Sequence, residues 1–252
     1  MKRLILAVSL LAVCLTAVVA YAVPEQVHFF DSDGVKIRYW LEGEGEPVLL
    51  IHGYSANGSL NWRAPGIQQE LSKTYQVIMP DVRSHGGSEV VPDGQHGIKV
   101  VHDMIRLLDH LNIESAHVAG YSMGGMIAIK MATLFPERVR SATVCGMGWV
   151  DANSEATRNF AQSETAGRLG PPLRGFGEFG TTREEMQAIS LPLKVIVGTD
   201  DPGQRRRVDA WKAIVPDLDV LYVEGADHAR CIFRPELKEG IRAFIDLQAR
   251  SR

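Results

Sequence analysis

The stretch VAGYSMGGM, residues 118–126, places a serine between two glycines in the pattern Gly120-x-Ser122-x-Gly124. Apolar residues before the serine predict a short buried strand. Apolar residues at helical spacing after it predict a helix that Pro136 closes. Side chains at the two glycine positions would collide with neighbouring backbone in so sharp a turn. We therefore expect a strained strand-to-helix turn that holds the Ser122 hydroxyl exposed above a sheet edge.

Strand and helix patterns alternate along most of the chain. An opening hairpin is predicted at Gln26–Phe30 and Val35–Leu41. A helix-like stretch follows the next strand, as far as about Tyr75. Alternation of this kind predicts an α/β fold in which a mostly parallel central sheet has helices on both faces. Later strands are predicted at Val48–His52, Gln76–Pro80, Val139–Cys145, Leu193–Val197 and Val220–Val223.

A segment without strand pattern interrupts this alternation at residues 149–191. We interpret it as a short lid insertion within one domain at 23–252. The lid would lie over the sheet edge at which the Ser122 turn is predicted. Short helices are expected near Glu155–Phe160 and Arg183–Ile189. So small a lid suggests an open, shallow site. Its aromatic residues are expected to form the lid's own core rather than line a pocket: Trp149, Phe160, Phe176 and Phe179.

The first 22 residues differ in composition from the rest. Lys2 and Arg3 precede a 17-residue uncharged stretch, Leu4–Ala20, which leads into Ala20-Tyr21-Ala22. A basic start, an apolar run and an A-x-A site predict a secretory signal peptide at 1–22, and hence a periplasmic or secreted protein. The alternative is an uncleaved membrane anchor, because the apolar run approaches the roughly 20 residues that span a bilayer.

The net charge of the chain limits the kinds of partner that are expected. The 252-residue chain has 27 Lys and Arg against 30 Asp and Glu, a net charge of −3 that becomes −5 without the two basic leader residues. This mild acidity argues against nucleic acid as a partner. No stable membrane span is expected after signal cleavage, and the oligomeric state is left open.

Cys145 and Cys231 either form a disulfide or, as the apolar surroundings of Cys145 suggest, are buried free thiols.

An exposed serine is a poor nucleophile unless a base takes its proton and a third group orients that base. His228 is the one histidine that follows Ser122, and it lies directly behind the last predicted strand. Asp200 and Asp201 lie between them, on the loop after another strand. This is the serine–acid–histidine order that belongs with a G-x-S-x-G turn. The order predicts a catalytic triad whose acid is one of the two aspartates.

These motifs together resemble the α/β-hydrolase superfamily over nearly all of residues 25–248. The matching segments are LLIHGY, MPDVRSHGGSE, GYSMGG, PERVRSATV, VGTDDP and GADHARCIFRPE. Ser84 departs from the family's usual glycine. In the family the acid usually lies three residues after the loop glycine, here Gly198, so the resemblance selects Asp201 over Asp200. It also implies an oxyanion hole formed by the backbone N–H groups of Tyr54 and Met123.

Other features give weaker signals. The histidines at 52, 85, 96, 102, 110 and 117 have no metal-ligand spacing. No glycine-rich loop precedes a lysine, so neither a metal nor another cofactor is expected. Arg205, Arg206 and Arg207 lie in the helix after the acid loop, where a solvated face is expected rather than a phosphate site.

The functional hypothesis is a carboxylesterase-like serine hydrolase. It would cleave a small-molecule carboxylic ester through an acyl-enzyme, with Ser122 as nucleophile, His228 as base and Asp201 as orienting acid. The same scaffold also suits an acyltransferase, a carbon–carbon hydrolase or a lyase. A ligand-binding module with a vestigial triad is the non-enzymatic alternative. The acyl and alcohol groups, and the choice among ester, lactone and amide, are left open.

Overall fold

The computed structural model describes residues 27–92, 96–162 and 175–250, with side chains left out at 160–162. The predicted leader and the Phe160 side chain therefore lie outside the described residues. Within these ranges, none of the helices combines the length and apolar character needed to cross a membrane.

Eight strands of the described chain form one sheet in the order β1-β2-β4-β3-β5-β6-β7-β8. The β1–β2 and β2–β4 pairs are antiparallel and every other neighbouring pair is parallel. This confirms the expected mostly parallel sheet with an N-terminal antiparallel hairpin. The strands are β1 Val27–Ser32, β2 Val35–Glu42, β3 Pro47–Ile51, β4 Gln76–Pro80, β5 Ala116–Tyr121, β6 Val139–Cys145, β7 Leu193–Gly198 and β8 Asp219–Val223.

Helices of the described ranges pack on both faces of the sheet. They are α1 Ile67–Leu71, α2 Ile98–His110, α3 Met123–Leu134, α4 Glu155–Gln162, α5 Arg183–Ala188, α6 Pro202–Lys212 and α7 Pro235–Arg250. Short helical turns of other types occupy Ser59–Arg63, Pro136–Arg138, Gly175–Phe179 and Cys231–Phe233. The α4 and α5 helices fall where short lid helices are expected.

The core divides into two layers because successive residues of a strand point to opposite faces. In β3, Leu49 and Ile51 belong to one buried cluster, whereas Val48 and Leu50 belong to the other. The first cluster packs against α2 and α3, and the second against α1 and α7. A strand covered on both faces needs continuous rather than alternating apolar residues, which is why PVLLI is apolar throughout.

The expected helix between β3 and Tyr75 is wrong in its extent. The chain forms a π-helical turn at Ser59–Arg63 and then a five-residue helix, α1. Pro65 and Gly66 separate the two, and Gly66 adopts a left-handed φ of 73°. A proline followed by a left-handed glycine ends one helix and starts another, which apolar spacing alone does not reveal.

Candidate active site

Three loops at the carboxyl edge of the parallel strands bring the predicted site residues together. Ser122 follows β5, Asp201 follows β7 and His228 follows β8. Because β5, β6, β7 and β8 are consecutive parallel neighbours, their carboxyl ends share one edge of the sheet. This is the edge at which α/β sheets gather reactive groups.

The turn at Ser122 is as tight as the glycine pattern predicts. Ser122 adopts φ 53° and ψ −112°, a backbone conformation that a residue with a side chain rarely takes. A Cβ built on Gly120 would lie 2.0 Å from the Gly124 carbonyl oxygen. A Cβ built on Gly124 would lie 2.0 Å from the Ile51 carbonyl oxygen. Both positions therefore require glycine, and the half-buried Ser122 lies between two cavities.

A continuous hydrogen-bond chain joins the three predicted side chains. The Ser122 Oγ lies 3.0 Å from His228 Nε2, and His228 Nδ1 lies 2.7 Å from Asp201 Oδ2. With the proton on Nδ1, the imidazole donates to Asp201 and accepts from the Ser122 hydroxyl. In this arrangement the base is oriented by a carboxylate and within reach of the nucleophile's proton.

The two candidate acids differ in surroundings. Asp201 is buried, and its Oδ1 accepts a hydrogen bond of 3.1 Å from the Gln204 backbone N–H at the start of α6. Asp200 is exposed, and its Oδ1 lies 3.4 Å from Thr199 Oγ1. The helix cap fixes the orientation of Asp201 and leaves Oδ2 for the imidazole. The structure thus places Asp201 against His228 and Asp200 away from it.

The two predicted oxyanion donors belong to two chain segments next to Ser122, namely the start of α3 and the loop after β3. Met123 is the first residue of α3, where a backbone N–H has no partner within the helix and the helix dipole favours negative charge. Tyr54 follows Gly53, and a Cβ built on Gly53 would lie only 3.4 Å from the Ser122 Cβ. The loop after β3 therefore lies close to the Ser122 side chain.

Polar side chains that the sequence did not reveal as functional fix this loop. The Gly53 N–H donates to Asn61 Oδ1 at 2.7 Å. The Val82 N–H donates to His52 Nε2 at 3.0 Å, and His52 Nδ1 lies 2.7 Å from the Gly53 carbonyl oxygen. Burial lowers the pKa of His52 to about 4, with the neighbouring His85 acting in the same direction. His52 is therefore a neutral bridge between two loops rather than a base.

The aromatic residues of the lid divide between two roles. Phe179 does not line the cavity and is buried in the main core cluster of the domain rather than in a separate core of the lid. Trp149 is also buried and donates from Nε1 to the Thr181 carbonyl oxygen at 2.9 Å, yet it lines a cavity beside Ser122 together with Phe176. That cavity has a volume of about 710 Å³, within the usual range of small-molecule pockets. The site is therefore roomier than the shallow one expected from the lid's length.

Cys145 and Cys231 are both buried and free, which is the second of the two alternatives. Burial raises the pKa of both thiols, that of Cys231 to about 11. Neither is therefore a thiolate near neutral pH. Over the described ranges, no group of three or more His, Cys, Asp or Glu side chains is arranged to hold a metal ion.

Known proteins match this chain in sequence and in shape. The family model described as "alpha/beta hydrolase fold" matches residues 46–167. The dihydrolipoyllysine-residue acetyltransferase component of the acetoin cleaving system of Cupriavidus necator is 36% identical over 177 residues, which is 69% of this chain and 46% of that protein. The 2-hydroxymuconate semialdehyde hydrolase of a Pseudomonas species is 37% identical over 46% of this chain and 42% of its own length. The chain thus spans somewhat less than half the length of these relatives.

Among solved structures, a thermophilic esterase from Thermogutta terrifontis superposes with a TM-score of 0.73 over 88% of this chain and 97% of the esterase. Its identity of 22% makes this a likeness of fold. The strand order, the strained serine turn and the family match agree with one another. The chain therefore belongs to the α/β-hydrolase fold superfamily.

Proposed function

We propose that the protein is a serine hydrolase that cleaves carboxylic esters through an acyl-enzyme intermediate. The observation that supports this most directly is the chain from Ser122 through His228 to Asp201, with contacts of 3.0 and 2.7 Å. A relative that is named a hydrolase and a fold shared with an esterase agree with this proposal. The proposed reaction needs no cofactor, because its second substrate is water.

In the first half-reaction, His228 Nε2 takes the proton of the Ser122 hydroxyl while Oγ forms a bond to the ester carbonyl carbon. The carbonyl oxygen becomes an anion, which the N–H groups of Tyr54 and Met123 stabilise. When the intermediate collapses, the bond from carbon to the alcohol oxygen breaks. The proton held on Nε2 passes to that oxygen, and the alcohol leaves.

In the second half-reaction, His228 Nε2 takes a proton from water, and the water oxygen forms a bond to the acyl carbon. The bond to Ser122 Oγ then breaks, and the proton returns to Oγ as the carboxylic acid leaves. Throughout both steps the Asp201 carboxylate holds the proton on Nδ1 and stabilises the imidazolium. Each residue thus ends the cycle in its starting state.

The experiment that tests this proposal is hydrolysis of neutral aryl acetates by the purified protein. Ser122→Ala and His228→Ala should each lose at least about 10³-fold in kcat/KM. Ser115→Ala, a serine at the opposite end of β5, should retain wild-type rates. If the folded wild-type protein hydrolyses none of these esters, the result contradicts the proposal and favours the alternative of a ligand-binding module.

Carbon–carbon hydrolysis is a second candidate, because a relative is named 2-hydroxymuconate semialdehyde hydrolase. The same serine, histidine and acid would serve it. A panel that pairs aryl esters with vinylogous diketones separates the two, since a carbon–carbon hydrolase prefers the diketone.

We also propose that the protein is exported, on the evidence of the basic, apolar and A-x-A segments of residues 1–22. Sequencing the N-terminus of the protein recovered from the cell envelope or medium tests this. A new N-terminus at Val23 supports cleavage. An intact leader in the membrane fraction supports the anchor instead.

A further inference from the structure

Two cavities meet at Ser122, and they differ in size and in chemistry. The smaller, of about 250 Å³, is lined by Gly53, Tyr54 and His228 together with the apolar Leu60 and Phe233. The larger, of about 710 Å³, extends in the direction of the lid and α6. Ser122 lines both, so an ester attacked there has one substituent in each cavity.

The proton path decides which substituent lies in which cavity. This step rests on the proposed function. The His228 imidazolium must deliver its proton to the leaving alcohol oxygen, so the alcohol lies on the same side of the intermediate as His228. His228 lines the smaller cavity and is absent from the described residues that line the larger one. The alcohol therefore occupies the smaller cavity, and the acyl chain extends into the larger.

Two arginines of α6 are among the residues that line the larger cavity. Arg206 and Arg207 both line it, together with apolar residues that include Met147 and Trp149. Neighbouring Arg205 does not line it and instead donates to the Thr199 carbonyl oxygen at 3.3 Å. All three arginines are exposed to solvent, as expected. Arg206 and Arg207, unlike Arg205, also line the larger cavity.

Neither cavity arginine is paired with a carboxylate in the described ranges. The Arg207 Nη1 lies 3.5 Å from Gln204 Oε1 and 4.0 Å from the Met147 sulfur. Other arginines of the protein, such as Arg83 with the buried Asp103, form close ion pairs. Within the described ranges, the two arginines of the lining therefore carry guanidinium groups that no carboxylate engages in an ion pair.

Among the described lining residues Asp151 is the acidic one, and its Oδ1 already accepts a 2.9 Å hydrogen bond from the Asn153 backbone N–H. Asp201 lies near Arg207, but its two oxygens are used by His228 and Gln204. The described lining residues thus include two cations and one carboxylate, and the Asp201 charge acts on Arg207 from outside the lining. Guanidinium groups bind carboxylates through paired, charge-assisted hydrogen bonds.

From the two cavities and this lining, we propose that the preferred substrates are half-esters of dicarboxylic acids, in which the acyl chain carries a free carboxylate. The carboxylate binds Arg206 and Arg207, the methylene chain lies against the apolar wall, and a small alcohol occupies the cavity beside His228. Hydrolysis adds one water, releases the alcohol and leaves the dicarboxylate.

The test compares charged and neutral substrates of matched length. Monoethyl esters of dicarboxylic acids with roughly four to eight carbons are assayed beside the corresponding ester amides, in which a neutral amide replaces the carboxylate. The half-esters should have kcat/KM values about tenfold or more above those of the amides, mainly through a lower KM. Added salt should reduce this preference, because the two arginines are exposed to solvent.

Arginine variants then locate the effect. Arg206→Gln and Arg207→Gln should each lower kcat/KM for the half-ester by roughly 5- to 50-fold and leave the ester amide within about threefold. Arg205→Gln, from the same helix and of the same charge change, should alter neither substrate. Equal rates for charged and neutral substrates, or equal effects of all three substitutions, would overturn the proposal.

A binding measurement keeps this proposal distinct from the proposed function. Calorimetry of the inactive Ser122→Ala variant with the product dicarboxylate should show binding that weakens in the Arg206→Gln/Arg207→Gln background. Hydrolysis of neutral aryl acetates without any preference for half-esters would overturn only the present proposal. Absence of all ester hydrolysis together with dicarboxylate binding would overturn the esterase function and retain the anion site. Absence of dicarboxylate binding overturns the anion site.

Discussion

The Tyr121 hydroxyl donates a hydrogen bond of 2.6 Å to the backbone carbonyl oxygen of His228. Tyr121 immediately precedes Ser122, so one side chain ties the serine turn to the histidine loop. Burial raises the pKa of the Tyr121 phenol, which therefore remains a proton donor. The distance between Ser122 and the His228 imidazole thus depends on the hydrogen bond from Tyr121 to the His228 backbone.

Tyr121→Phe should lower kcat by roughly 3- to 30-fold with little change in KM, because it loosens the histidine loop but keeps the aromatic ring that lines the smaller cavity. Lost stability should be about 1 kcal/mol, the usual contribution of one hydrogen bond. Steady-state kinetics and denaturant unfolding measure both quantities. If KM rises while kcat stays at the wild-type value, Tyr121 does not position the base.

Asp201→Asn should reduce kcat on the order of 10³-fold or more, since an amide cannot hold the imidazole in the required tautomer. Asp200→Asn is the matched control, with the same change one residue earlier on an exposed side chain. We expect it to remain within about threefold of wild type. Equal losses, or a greater loss at Asp200, would show that the wrong carboxylate has been assigned.

Gly124→Ala should prevent folding or abolish activity, because the added methyl group would meet the Ile51 carbonyl oxygen at 2.0 Å. Gly203→Ala is the control: its Cβ would find only Asp201 Oδ1, at an ordinary 3.6 Å. Thermal unfolding of both variants measures the difference. A Gly124→Ala protein with wild-type stability would contradict the close approach of α3 to the end of β3.

The stability of the protein should decrease in mild acid because of His52. Its pKa is 6.5 in the unfolded chain and about 4 in the folded protein. Between these values the unfolded chain binds a proton that the folded protein does not, so the free energy of unfolding falls as the pH decreases from 6.5 towards 4. Above pH 6.5 this contribution is fully present. Burial lowers the pKa of His85 as well, which adds to the same trend.

Denaturant unfolding at several pH values checks this contribution. His52→Asn is less stable overall but removes one titrating group, so the slope of stability against pH below 6.5 should decrease by up to about 1.4 kcal/mol per pH unit. An unchanged slope would mean that His52 does not resist protonation in the folded state.

The sequence predicts the sheet and the serine turn because each depends on local rules. Continuous apolar strands such as β3 indicate burial on both faces, and the glycines around Ser122 indicate backbone contact. The break at Pro65 and Gly66 was harder to predict, since the apolar spacing continues across it. Apolar spacing favours one helix-like stretch, whereas the chain forms a π-helical turn followed by the short helix α1.

Contacts between distant loops are the part that the sequence did not reveal. Asn61 binds the Gly53 N–H, and Tyr121 binds the His228 carbonyl, across eight and 107 positions respectively. Nothing in the residue types marks either contact, because both use common side chains against backbone. The placement of Arg206 and Arg207 at the acyl cavity likewise depends on the rotation of α6 about its axis.

Labelling with a fluorophosphonate, followed by intact-mass measurement and peptide mapping, tests most directly whether Ser122 is an activated nucleophile. The folded wild-type protein should gain one phosphonyl group, mapped to Ser122. Ser122→Ala should gain none, and His228→Ala should react at least about 10²-fold more slowly. A folded wild-type protein that remains unlabelled, or is labelled at another residue, would contradict the proposed serine hydrolase.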